Sequence, residues 1–281
     1  MGWLGTGANS LALRLRRAGM GGGRPPDLPA ATGGMIADIT DPDDGLAYTA
    51  HTFTADGGFT VLTGGEFECL VLGGGASGAA NSDGRTGNGG GAAGSVRQGT
   101  ITLSAGTYPV VIGAGGPGVT SAGTPVDGND GGASSALGVT APGGLGGIAA
   151  LSAFSDAPGG GNADYSGGTG AGSAEGGGGA GAGGDGDNAT SAQAGDGGPG
   201  VVSSISGTAA PYGGGGGGSG SDGDGIGGTG GGTDGNGAGD SLSAPANSGS
   251  GSGGVSGSGV SAVASGDGGS GLVIIRYRRT A

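Results

Sequence analysis

A glycine-dominated stretch that leaves one strand and returns to another limits what this chain can fold into. Of the 128 residues 143–270, 50 are glycine, in runs such as 213–218. The chain then closes on Gly271-Leu272-Val273-Ile274-Ile275-Arg276-Tyr277, an apolar strand. A disordered tail has no reason to return to a strand, so the glycine region reads as an ordered excursion from a β-rich body. Order is costly there. Fixing a backbone costs about 1–2 kcal/mol per residue, glycine loses the most freedom of all, and only 4% of the residues are aromatic. Backbone hydrogen bonds, rather than apolar burial, must hold such a region.

Glycine spacing decides which backbone arrangement is meant. Collagen needs glycine at every third position without a break. Gly225, Gly228 and Gly231 keep that period and Asp234 breaks it. Extended three-fold helices of the polyproline II type need no strict triplet. They have no internal hydrogen bonds, so their N–H and C=O groups must pair with neighbours. Without Cβ atoms, several can pack side by side and pair in all directions. The expected fold class is all-β: a small β-sandwich core with long glycine-rich insertions packed as polyglycine II-type helices.

Along the chain, residues 47–62 read as two strands around Asp56-Gly57-Gly58, a hairpin signal. Residues 67–72 make a third strand. Residues 100–103 and 107–112 read as a second hairpin, turned at Ala105-Gly106, and 134–140 as a shorter candidate. The strands at 67–72 and 272–277 are apolar on both faces, which predicts that both are central and adjacent. No stretch carries a helical period with caps. The expected layout is an N-terminal arm over 1–45, a β core over 46–142 with two short glycine-rich loops, a projecting glycine-rich region over 143–270, and a closing strand over 271–281. In the arm, Leu11, Leu13 and Leu15 alternate with Ala12, Arg14 and Arg16. With Arg17 they are the candidate residues for docking on a partner. Met1-Gly2-Trp3-Leu4-Gly5-Thr6 fits the minimal myristoylation pattern, which is too short to carry an assignment.

The formal charge is −13, and all nine basic residues are arginine. Seven of them lie at the two ends, and residues 98–275 hold thirteen acidic residues and no basic one. Phosphate contacts need Lys or Arg, so nucleic acid is not an expected partner of the main body. Cys69 is the sole cysteine, which excludes an intrachain disulfide. The first residues place apolar positions before basic ones, the reverse of a secretory signal. No run approaches the ~18 apolar residues of a membrane span, so no membrane insertion is expected.

Candidate chemistry is sparse. Residues 110–118 place G-x-G-x-x-G after a strand, but Val119-Thr120-Ser121-Ala122-Gly123 is not the helix that a dinucleotide site requires. Residues 73–78 fail in the same way. A calcium β-roll needs its glycines in register. Asn236 and Ala238 break it before Asp240, and Asp187 stands where an apolar residue belongs after Asp185. An isolated ion at an aspartate cluster stays open. His51 shares a strand face with Phe53 and reads as structural. Cys69 alternates with Phe67 and Val71 and reads as core. No nucleophile motif is present, so no enzyme, cofactor or resident metal is expected. Phe154, Tyr165 and Tyr212 are rare aromatics inside the polar glycine region. Either they seal loop ends or pack on neighbours, or they contact a ligand at loop tips. On the second reading they are the candidate receptor-binding residues.

Several motifs occur in order: Tyr48-Thr49-Ala50-His51-Thr52-Phe53-Thr54, Gly58-Phe59-Thr60-Val61, Leu70-Val71-Leu72-Gly73-Gly74-Gly75, Ala105-Gly106-Thr107-Tyr108-Pro109-Val110-Val111-Ile112-Gly113, and the closing Gly269–Tyr277 segment. Over about residues 47–278 the chain resembles the glycine-rich domain common in tail fibre and tail tip proteins of bacteriophages and prophages. The resemblance implies a small β core with glycine-rich insertions on a virion appendage that meets the host surface, and it carries no catalytic residues. The function it implies is that of a virion structural protein that binds a host receptor, a glycan or an outer-membrane protein. Other tail proteins and two further copies in a homotrimer are the expected partners. A capsid or tail decoration without a receptor role is the alternative, and a bacterial surface or matrix protein a second one.

Overall fold

The computed structural model describes residues 28–279 apart from 84–86, 152–156, 173 and 258–260. Ten strands build the core: β1 Ala30–Thr32, β2 Met35–Thr40, β3 Ala47–Phe53, β4 Gly57–Thr63, β5 Gly65–Leu72, β6 Val96–Leu103, β7 Gly106–Val111, β8 Ser134–Ala136, β9 Val139–Ala141 and β10 Leu272–Arg278. They form two antiparallel sheets. The first runs β1-β4-β7-β8-β9, the second β2-β3-β10-β5-β6. Phe59, Val61 and Val110 of the first sheet meet Phe67, Cys69, Val71, Val273, Ile275 and Tyr277 of the second in one core. Its rings stack edge to face, Phe59 on Phe67 at 5.6 Å and Phe67 on Tyr277 at 5.4 Å. Such pairs contribute about 0.5–1.5 kcal/mol beyond their burial.

The two strands that are apolar on both faces lie side by side in the second sheet, with Leu272 opposite Leu72 and Ile275 opposite Cys69. Their outer face is also buried. Leu70, Leu72, Leu272 and Ile274 are covered by Ile205, with Val96 and Tyr212 at the margin. Ile205 comes from a small hairpin formed by Val201–Ser203 and Ala210–Tyr212. Beside this second core, Arg276 is buried and donates to Glu68 Oε2 at 2.9 Å, to Asp41 Oδ2 at 2.5 Å and to the Ser204 carbonyl at 3.2 Å. Its guanidinium lies 4.3 Å over the Tyr48 ring. Burial pushes the Asp41 carboxyl up, but the Asp43 amide and Arg276 outweigh it and hold it below the usual range.

The structure corrects both expected hairpins. β3 and β4 belong to different sheets, and so do β6 and β7. A hairpin would put Phe53 and Phe59 on one face of one sheet. Instead the chain crosses the sandwich, and the two rings meet edge to face at 6.4 Å. Asp56 Oδ1 accepts from the Ile112 amide at 2.8 Å and pins the crossing to the first sheet. A tight hairpin does join β8 to β9, where Leu137 (φ 56°) and Gly138 (φ 79°) form the two-residue turn that suits strand twist. The expected arm is also shorter than 1–45, because β1 and β2 are edge strands of the two sheets. They are held mainly by backbone pairing, which a scan for apolar mass does not register. Leu11, Leu13, Leu15, Arg14, Arg16 and Arg17 lie outside the described residues.

All three glycine-rich excursions join in one bundle, and their hydrogen bonds advance in steps of three. The amides of Gly73, Ala76 and Ala79 donate to the carbonyls of Ser95, Ala92 and Gly89. Those of Gly74, Ser77 and Ala80 donate to Gly132, Asn129 and Val126. The next run repeats the pattern: Gly89, Ala92 and Ser95 reach Ile148, Leu145 and Pro142, while Gly90 and Ala93 reach Gly177 and Ala180. A three-fold helix turns by a third of a circle per residue, so successive amides face three different neighbours. This is polyglycine II packing. A Cβ on Gly91, Gly179 or Gly216 would come within 3.0 Å of a neighbouring backbone oxygen, so glycine is what lets the helices approach.

Aspartates finish the bundle's rim. Asp127, Asp130, Asp185, Asp240 and Asp267 each accept, through Oδ1, an outer amide that no neighbouring helix reaches: Ala149, Gly146, Ser166, Ala264 and Gly118. The acidic composition is therefore structural as well as solvating. Asp127→Ala is expected to cost about 1–2 kcal/mol, whereas Asp127→Asn, whose amide oxygen still accepts, costs much less. Urea unfolding of the two variants checks this, and equal losses would mean that the amide bond contributes nothing.

Candidate binding surface

Strand ends fix the bundle's polarity. β5, β7 and β9 feed runs that leave the sandwich, at about 73–80, 113–119 and 142–149. β6, β8 and β10 receive runs that return. Neighbouring outward runs are parallel: Gly144 and Gly147 donate to Gly74 and Ser77, and Ser252 and Val255 donate to Ala76 and Ala79. Outward and returning runs are antiparallel, as where Gly176, Gly179 and Ala182 reach Ser219, Gly216 and Gly213. The turns between outward and returning runs therefore gather at the end away from the sandwich. They include 120–125, 171–175, 190–193, 220–224 and 237–240.

Short polar side chains fasten these turns. The Ser82 amide donates to Ser121 Oγ at 3.0 Å, and Ser121 Oγ donates to the Thr124 carbonyl at 2.7 Å. The Gly123 amide donates to Ser82 Oγ at 2.6 Å, which ties two turns together. Thr190 and Gln193 bridge across their turn. Beside it, Asp187, Asn188, Thr190, Gln193 and Asp196 line a shallow polar cavity of about 180 Å³. Leu151, just past the outward run at 142–149, is 83% exposed. Amides, hydroxyls and carboxylates on a fixed frame suit recognition of a polar surface. A glycine-rich domain model matches residues 49–278. The chain belongs to the glycine-rich domain family. No curated protein matches it. The matched region of this glycine-rich domain protein runs from β3 to the end of β10, and so takes in the whole bundle.

Two of the three candidate aromatics lie among the described residues, and neither is on the gathered turns. Tyr212 packs at the margin of the second core and donates its hydroxyl to Ser206 Oγ at 3.4 Å. Tyr165 follows a turn at the sandwich end, where Asn162 Oδ1 accepts from the Asp164 and Tyr165 amides at 2.9 Å. Asp164 pairs there with Arg97 of β6 at 2.6 Å. Both tyrosines thus lie at the end opposite the gathered turns. Phe154 lies outside the described residues. What the sequence does show at the far end is a set of short polar breaks in the glycine, such as Thr190-Ser191-Ala192-Gln193.

The remaining candidate residues serve the fold. His51 is fully buried, with Nδ1 2.7 Å from the Gly33 carbonyl and its ring edge-on to Phe59. Burial lowers its pKa, so Nδ1–H donates and the ring stays neutral. Burial pushes the Cys69 thiol up to about 11, which makes it a poor nucleophile. In the G-x-G-x-x-G stretch, Gly113, Gly116 and Gly118 donate to Ser134 Oγ, the Gly75 carbonyl and Asp267 Oδ1. Three amides of that stretch are thus engaged within the protein. Among the described residues, no group of three or more His, Cys, Asp or Glu is placed to hold a metal ion.

Proposed function

We propose that this glycine-rich domain protein is a virion structural protein, a tail fibre or tail tip component that binds a host receptor. The observation that carries the reading is the polarity of the bundle. One end is a packed sandwich, and the other is a group of polar turns held by a backbone-bonded frame. Rigid scaffolds that carry loops at one end are the usual arrangement for binding. The turns at the far end are the receptor-contacting surface, and their polar groups suit a glycan or the loops of an outer-membrane protein. Residues preceding β1 dock on other tail proteins. Three copies form a homotrimer, located in the tail appendage of the virion.

Virions carrying Ser191→Trp together with Leu151→Ala are expected to assemble with a normal content of this protein. Their adsorption to host cells falls about tenfold, the effect of losing one good contact cluster. Normal adsorption, with purified protein that neither binds cells nor competes with virions, would remove the receptor role and leave the decoration reading. Tyr212→Ala is expected to lower stability instead of adsorption, since its ring packs at the second core.

A further inference from the structure

Glu175 is 1% exposed in a bundle built almost wholly of glycine, alanine and serine. Its Oε1 accepts three hydrogen bonds from the 220–224 turn: Ser221 N at 3.1 Å, Ser221 Oγ at 3.0 Å and Asp222 N at 3.1 Å. Its Oε2 is buried and has no donor. That oxygen points at Gly220 Cα, where an added Cβ would collide with both Oε2 and the Gly223 carbonyl oxygen. Glu175 Oε2 thus faces the same small space as the Gly223 carbonyl oxygen, which accepts from the Ala194 amide at 2.9 Å and has a second lone pair left.

A buried carboxyl oxygen without a donor needs a proton of its own, a water or a cation. A calcium ion needs about six to eight oxygens, and no cluster of three acidic or imidazole side chains is available among the described residues. A proton needs only the two oxygens present. We propose that Glu175 is a neutral acid whose Oε2–H donates to the Gly223 carbonyl, forming a proton-dependent clasp on the 220–224 turn at the far end of the bundle. Among the described residues, the charged groups facing it are on that turn. Asp222 lies beside it, and Asp224 Oδ1 is engaged by the Gly220 amide at 3.1 Å. The neighbouring segments bring Gly87, Asn88, Ala192 and Gln193, none of them titratable. Burial, helped by the charge of Asp222, pushes the Glu175 carboxyl up against the lowering effect of its three donors. A raised acid stabilises the closed turn fully at low pH and loses that contribution as pH rises through the raised value. Above it, a buried carboxylate faces a carbonyl oxygen and the turn opens.

The clasp stands whether or not the turns bind a receptor, so its test uses no host cell. Amide hydrogen exchange of the full chain is followed from acid to mildly alkaline pH and corrected for the intrinsic rate. Protection of Ser221 and Asp222 is expected to fall about tenfold or more as pH rises. In Glu175→Gln the side-chain amide donates to Gly223 at every pH, so protection becomes independent of pH. A pH-independent wild type, or the same transition in the Gln variant, overturns the clasp. A transition moved by added calcium or by a chelator overturns it in favour of a cation. Should the variant fail to fold, the carboxyl ¹³C titration of Glu175 in the wild type decides, because an ordinary glutamate pKa is incompatible with the clasp.

Discussion

Gly216→Ala is expected to prevent folding, and Gly239→Ala to be neutral or slightly stabilising. The Gly216 amide donates to the Gly91 carbonyl, and its own carbonyl accepts from Gly179. A Cβ there would meet Ser252 O, Ser252 C and Gly253 N, all of them backbone. The Ser252 carbonyl cannot retreat freely, because it accepts from the Gly91 amide at 2.8 Å. One methyl therefore forces at least two helices apart and breaks bonds on both. Overpacking of ordinary side chains costs about 1–3 kcal/mol. Here nothing flexible can give, and a loss above about 4–5 kcal/mol, of the order of a small domain's stability, is expected. At Gly239 the nearest atom is Asn236 Nδ2 at 3.9 Å. Alanine there restricts mainly the unfolded chain, which stabilises by about 0.4–1 kcal/mol where the backbone is compatible. Soluble yield and urea midpoints measure both. A Gly216→Ala protein with an unchanged midpoint would mean that the helices are not interlocked.

The contrast between these glycines shows what the sequence conveys and what it hides. Where side chains carry the pattern, the fold was legible. The doubly apolar runs of β5 and β10 announce two central strands, and they are neighbours. The return of the glycine region to a strand announces order, and its broken triplets exclude collagen. Turn signals are local, so Asp56-Gly57-Gly58 marks a reversal without saying that the chain changes sheet. Glycine runs are alike, so nothing in 213–218 tells which helices will flank it. The acceptor role of the rim aspartates depends on those unseen neighbours, so the sequence shows them only as negative charge. Because Tyr212 borders glycine, the sequence left packing on neighbours and ligand contact at a loop tip both open for it. Run parity decides between them: residues 194–200 return to the sandwich, so the segment 201–212 that follows must lie there.

Ile274→Asp is expected to abolish soluble folded protein, whereas Ile274→Val should cost only about 0.5–1.5 kcal/mol. Ile274 is 2% exposed, on the outer face of β10, among Leu70, Leu72, Leu272 and Ile205. The nearby cation is no help to a new carboxylate. Arg276 already holds Asp41 and Glu68, and its third donor reaches the Ser204 carbonyl. An unpaired carboxylate here costs several kcal/mol. The loss would also spread. Ile205 and Tyr212 anchor the small hairpin to this face, and Gly213 begins the outward run that follows it. The second core is thus where the bundle is seated on the sheet that its last run must enter. Deleting residues 271–281 removes β10 itself and should have the same outcome. Circular dichroism and sedimentation of the purified variants decide the matter. A folded, soluble Ile274→Asp protein would mean that the bundle stands without its seat, and that backbone bonding alone stabilises the molecule.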